Sequence, residues 1–175
     1  MVDAPMAPAN GVEIARSPAF ARFVLRGRGL VSEATLAAFG APRPAASRAT
    51  PCGPGWALHL GPDEWWLLLP AAEQGATLAR LTAALGALPH SLVDIGDRQA
   101  AFRIHGPRAT TLLAAFCPLD LDPLVFPVGA CTRTLLGKAG MMLWRTSDDA
   151  FHLEVGRSVA GYAMDLLALE ARQTG

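Results

Sequence analysis

The chain has 175 residues, 51% of them apolar and 17% charged, with fifteen basic side chains balanced by fifteen acidic ones. That length suffices for one sizeable core or two small fused ones, and so large an apolar share excludes an intrinsically disordered chain. Neither half is basic enough to suggest a nucleic-acid or anionic-membrane surface.

Residues 1–18 are rich in Ala and Pro and lack the basic start and apolar run of a signal peptide. They are expected to form a flexible N-terminal arm. Residues 19–175 are expected to form a single domain. Arg22 to Leu25 reads as a short strand. Ser32 is placed to cap a short helix, Glu33 to Phe39, with Gly40 as its stop. Residues 41–55 form a Pro/Gly/Ala loop to which no regular element is assigned.

A hairpin follows. Trp56 to Leu60 and Glu64 to Leu69 flank Gly61-Pro62-Asp63, which is turn chemistry. The adjacent Trp65 and Trp66 must point to opposite faces of a pleated strand, so that strand is expected to be buried on both. Ala72 to Leu85 reads as a helix with Leu78, Leu81 and Leu85 on its apolar stripe. Ser91 to Asp94 and Ala100 to His105 are two further strands. Gly106-Pro107 opens a helix bearing Ala109, Leu112, Leu113 and Phe116. Residues 117–128 form a loop with three prolines. Gly129 to Leu136 and Lys138 to Arg145 make a hairpin around Gly137, Phe151 to Val155 is its third strand, and Ser158 caps a last helix with Tyr162, Leu166, Leu167 and Leu169. The segments starting at Leu58 and Leu143 are alike at an offset of 85: strand, acidic turn, aromatic-bearing strand, then an amphipathic helix. The fold expected is therefore α+β, two fused ββα-type layers of mostly antiparallel sheet covered by helices, built as two pseudo-repeated halves.

Little of the polar inventory points to chemistry. Gly27-Arg28-Gly29 imitates the start of a dinucleotide loop, but Ser32 stands where its third glycine belongs and no acid follows about twenty residues on. The four histidines, His59, His90, His105 and His152, have no partner at metal-ligand spacing, so no metal is expected. The paired acids, among them Asp63-Glu64 and Asp148-Asp149, fall mainly in turns, where Asp serves backbone N–H groups. Cys52, Cys117 and Cys131 form no C-x-x-C pair and fit a reducing cytoplasm better than a disulfide scaffold. No run approaches the ~18 apolar residues of a membrane span. Catalytic, cofactor-binding and metal residues are expected to be absent. Trp65, Phe126, Arg133, Trp144 and Arg145 are the candidates for a partner interface, where Trp and Arg are enriched.

Pro127-Val-Gly-Ala-Cys-Thr-Arg-Thr-Leu-Leu-Gly-Lys-Ala139, Leu143-Trp-Arg-Thr146 and Phe151-His-Leu-Glu-Val155 resemble the gamma-subunit family of heterotetrameric sarcosine oxidase. Ser91 to Asp94, Arg98-Gln99, His105 to Arg108, Cys117 to Leu121 and Leu60 to Trp65 extend the match over roughly residues 20–172. The resemblance implies a fold similar to the N-terminal part of folate-binding aminomethyltransferases. It implies a non-catalytic cytoplasmic subunit that packs against an alpha subunit, with beta and delta in the same complex. That complex would oxidise sarcosine to glycine with release of hydrogen peroxide and pass a one-carbon unit to tetrahydrofolate. FAD, FMN, NAD and zinc would belong to the partner subunits, and none to this chain. Aminomethyltransferases place an acid near a glycine-rich hairpin, whereas Leu135-Leu-Gly-Lys-Ala-Gly140 has none, so no catalytic role is carried over. A stand-alone folate-binding or folate-dependent transferase module is the alternative, and a dinucleotide-binding fragment a third.

Overall fold

Two tryptophan-bearing hairpins organise the chain, each seeding its own sheet. The computed structural model describes residues 6–9, 11–39, 41 and 45–173. In chain order the elements are β1 (Met6–Ala9), β2 (Val12–Arg16), β3 (Phe20–Arg26), α1 (Leu30–Ala38), β4 (Ala49–Cys52), β5 (Gly55–Gly61), β6 (Glu64–Pro70), α2 (Gln74–Leu85), β7 (Ser91–Asp94), β8 (Gln99–His105), α3 (Ala109–Ala114), β9 (Cys131–Leu136), β10 (Ala139–Ser147), β11 (Ala150–Gly156) and α4 (Ala160–Gln173). They fall into two compact units, residues 19–96 and residues 97–175 joined by 1–18.

Within residues 19–96 the strand order is β4-β5-β6-β3-β7, and all pairings are antiparallel. Phe23, Leu25, Trp65, Leu67 and Leu69 point to one face and pack with Val31 and Leu36 of α1 and Leu81 and Leu85 of α2. The other unit has the order β1-β2-β8-β11-β10-β9, again antiparallel throughout. Its core joins Val12, Ile14, Phe102, Ile104, Phe151 and Leu153 to Leu112 of α3 and Leu167 of α4.

Read from its β9 edge, the second sheet follows the same path as the first. Both central hairpins shift register at one place, between His59 and Gly61 and between Arg145 and Ser147. Gly61 pairs with Glu64 and Ser147 with Ala150, so the hairpins correspond at an offset of 86, one more than the 85 read from sequence. One residue matters because strand faces alternate. It makes Trp65 the counterpart of Phe151, facing helices, and Trp66 the counterpart of His152, facing away from them.

Several local expectations change. The supposed arm contains β1 and β2. Val12 and Ile14 alternate into the core and β2 pairs with β8, while residues 1–5 and 10 lie outside the described ones. The Pro/Gly loop contains β4, short enough to be missed and at a sheet edge, where Pro51 is tolerated; residues 42–44 of that loop are not described. Ser32 is not a cap: Gly29 precedes α1, and the buried Ser32 hydroxyl donates to the Gly29 carbonyl at 2.8 Å. Gly40, expected as that helix's stop, lies outside the described residues. Ser158 sits in a 3-10 turn, Arg157–Val159, that leads into α4. On α2 the buried stripe is Thr77, Leu81 and Leu85, with Leu78 exposed. On α4 it is Ala160, Ala163, Leu167 and Ala171, leaving Tyr162 and Leu169 exposed. Small residues let that helix lie close to its sheet.

Candidate functional site

The polar residues most suggestive of chemistry stand on β11. His152 and Glu154 are two apart, so they share the strand face opposite Phe151, Leu153 and Val155. The His152 Nε2 lies 2.8 Å from Oε1 of Glu154, and Trp144, opposite His152 in register, meets its ring edge-on at 5.9 Å. Glu154 is 1% exposed. A general acid or base has to reach a substrate. This pair is sunk in the protein, where each group offsets the cost of burying the other. In the first hairpin Trp66 donates its indole N–H to Oε1 of Glu64 at 3.1 Å, and Arg26 pairs with Oε2 of the same carboxylate. Each hairpin thus holds a carboxylate against an aromatic ring nitrogen on its second face. Polar residues spaced by two within an apolar strand were the available sequence signal for both.

Arg145 is turned inward and is 2% exposed. Its Nη1 donates to the carbonyls of Leu121 at 3.1 Å and Phe126 at 3.0 Å, its Nη2 to Asp148 at 2.6 Å and its Nε to Ser147 at 3.3 Å. The guanidinium also lies 5.1 Å from the centre of the Phe151 ring. One planar donor set therefore ties the 117–128 loop to the second hairpin turn.

The expected interface set divides by exposure within the chain. Trp65, Phe126, Trp144 and Arg145 are all buried within the chain. Trp65 stacks on His59 at 4.2 Å in the first unit's core, and Phe126 lies in the second. Arg133, on the sheet-edge strand β9, is exposed. Enrichment of Trp and Arg at interfaces pointed to large side chains, but the same side chains fill cores.

The remaining motifs resolve into structure. Gly27-Arg28-Gly29 does join a strand to a helix. However, β3 is antiparallel to both neighbours, and the space above Gly27 is filled by Val31, 2.4 Å from where a side chain would begin. All three cysteines are buried, and burial pushes the Cys52 thiol up to about 11, away from thiolate reactivity. Among the described residues no group of three or more His, Cys, Asp or Glu could hold a metal, and no helix is long and apolar enough to cross a membrane. In the 135–140 hairpin, Gly137 backs onto Tyr162, whose hydroxyl accepts from the Lys138 N–H at 3.1 Å.

What the molecule does display is apolar. In the 117–128 loop Leu124 is 94% exposed and Val125 62%, while their neighbours Leu121 and Phe126 are buried. The sequence carried a faint signal here: residues 109–132 contain no Lys or Arg, and the two apolar residues follow Asp120 and Asp122.

The double antiparallel architecture defines the class first. It is the α+β fold also found in glycine cleavage system aminomethyltransferase T from Bartonella henselae, with a TM-score of 0.68 at 14% identity over 94% of this chain and 50% of that one. A model of the sarcosine oxidase, gamma subunit family matches residues 15–171, and the chain belongs to that family. A sarcosine oxidase subunit gamma from Corynebacterium sp. strain P-1 is 37% identical over 97 residues, 55% of this chain and 46% of that relative. The chain spans about half the length of the curated gamma subunits it matches. The solved heterotetrameric sarcosine oxidase from Corynebacterium sp. U-96, in complex with pyrrole 2-carboxylate, contains a chain that matches with a TM-score of 0.88 at 26% identity, over 97% of this chain and 88% of that one.

Proposed function

We propose that this chain is a gamma subunit of a heterotetrameric sarcosine oxidase and serves its assembly and stability rather than its chemistry. The observation that carries the reading is the 0.88 TM-score over 97% of the chain to a chain of such an enzyme. The burial of the His152–Glu154 pair and the inward set of Arg145 support a structural use of the polar groups. In this reading an alpha subunit is the main partner, with beta and delta in the same complex, and FAD, FMN, NAD and zinc reside on those subunits. The complex oxidises the N-methyl group of sarcosine with oxygen and water to give glycine, formaldehyde and hydrogen peroxide, or passes the one-carbon unit to tetrahydrofolate. Reduced, buried cysteines fit a cytoplasmic setting.

The test is co-expression of this chain with alpha, beta and delta subunits of a heterotetrameric sarcosine oxidase, followed by size-exclusion chromatography. Co-elution in one complex is expected, and so is loss of complex integrity when this chain is omitted. Separate elution from correctly folded partners overturns the reading.

A folate-binding module is the second reading, favoured by 31% identity over 130 residues to an aminomethyltransferase from Thermus thermophilus. Saturable quenching of tryptophan fluorescence by micromolar tetrahydrofolate would support it.

A further inference from the structure

The 117–128 loop is built to hold its tip still. The Asp120 carboxylate accepts from the Asp122 N–H at 2.9 Å, and the Asp122 carboxylate from the Leu124 N–H at 2.8 Å. The Asp122 carbonyl accepts from the N–H groups of Val125 at 2.9 Å and Phe126 at 2.7 Å. Leu121 and Phe126 are anchored in the core, and the Arg145 guanidinium clamps their two carbonyls from inside. Leu124 and Val125 are thus presented by a turn that core anchors fix on both sides. A fully exposed leucine on such a turn contributes nothing to the fold it sits on. A rigid apolar knob, by contrast, loses little conformational entropy when it is buried by another surface. The only charged side chains of the loop are Asp120 and Asp122, both exposed, with no base between Arg108 and Arg133. Charge complementarity therefore calls for a cationic rim opposite.

We infer that Leu124 and Val125 form a docking knob for the alpha subunit of the same complex, entering an apolar recess rimmed by Arg or Lys. This rests on the gamma-subunit reading above.

The experiment co-expresses the full chain with its partner subunits, purifies through a tag on the alpha subunit, and titrates the purified chain into alpha by biolayer interferometry. L124D, and separately L124S, are compared with the wild type and with L78D, an equally drastic change on the exposed side of α2. Circular dichroism and thermal melts of each variant confirm the fold, which a side chain so exposed should leave unchanged. The expectation is association weakened about tenfold or more by L124D and measurably by L124S, with L78D like the wild type. D120N/D122N keeps the side-chain oxygens that accept the loop N–H groups but removes the charge. It is expected to weaken binding several-fold at low salt and to flatten its salt dependence. Wild-type affinity in L124D, or loss confined to L78D, overturns the inference while leaving the gamma-subunit reading intact. Failure of the wild type to bind any partner overturns that reading and the knob with it.

Discussion

At the level of single residues, Arg145 has the largest consequence. Its guanidinium donates to four carbonyls, two of them in the 117–128 loop. Replacing it with Met keeps much of the volume and leaves buried carbonyls without donors. R145M is expected to lower the free energy of unfolding by about 3 kcal/mol in urea titration, and to make the loop cleavable by trypsin-independent proteases such as thermolysin. R145K keeps the charge but lacks the planar fork, and should recover only part of the loss. Cys52 illustrates a burial effect on ionisation. Desolvation raises its thiol from an ordinary 9.0 to about 11. The unfolded chain loses that proton first as pH rises. The stability Cys52 contributes is therefore complete below pH 9 and is lost as pH climbs towards about 11. The expected outcome is slow alkylation of Cys52 by iodoacetamide at pH 8 in the native protein and rapid alkylation in urea.

Among the elements, the N-terminal strands alter the reading of the chain most. β2 pairs with β8 and places Val12 and Ile14 in the second unit's core, the position β7 holds beside β3 in the first. The first unit takes this strand from after its helix, and the second takes it from before the whole fold. Deleting residues 1–16 is expected to remove at least about 3 kcal/mol of stability, from two core side chains alone, and to promote aggregation through the uncovered β8 edge, as read by melts and light scattering. The turn that seats this hairpin depends on Gly106, at φ 128, where a side chain would begin 2.3 Å from the Gly11 carbonyl oxygen. G106A combines backbone strain with that clash and should lower the melting temperature by several degrees or more. The helices show why pattern reading slips: α4 faces its sheet with three alanines and Leu167 while Tyr162 and Leu169 point outward. Of the large residues read on this helix, Leu167 is buried and Leu166 packs against the core, and alanines complete the buried face because close packing favours small residues there.

For the whole molecule, three large apolar residues stand out among the described ones: Leu30, Leu124 and Val125 are each more than 60% exposed. Purified without partners, the chain is expected to self-associate at high concentration and to bind a hydrophobic dye. Both signals should fall in L124D, as measured by analytical ultracentrifugation and dye fluorescence. A monodisperse wild-type monomer with no dye response would show that this surface is not sticky.

The sequence by itself determined the central hairpins, the helices that follow them, the α+β class and the family, because alternation, turn residues and local motifs act over a few residues. It also showed that no metal spacing or nucleophile motif was present. Tertiary structure alone decided the register offset of 86, the recruitment of β2 and the inward turn of Trp65, Phe126, Trp144 and Arg145. Each depends on which distant strand or loop covers a residue. A tryptophan or arginine is equally suited to a core or an interface, and only the packing around it selects between them.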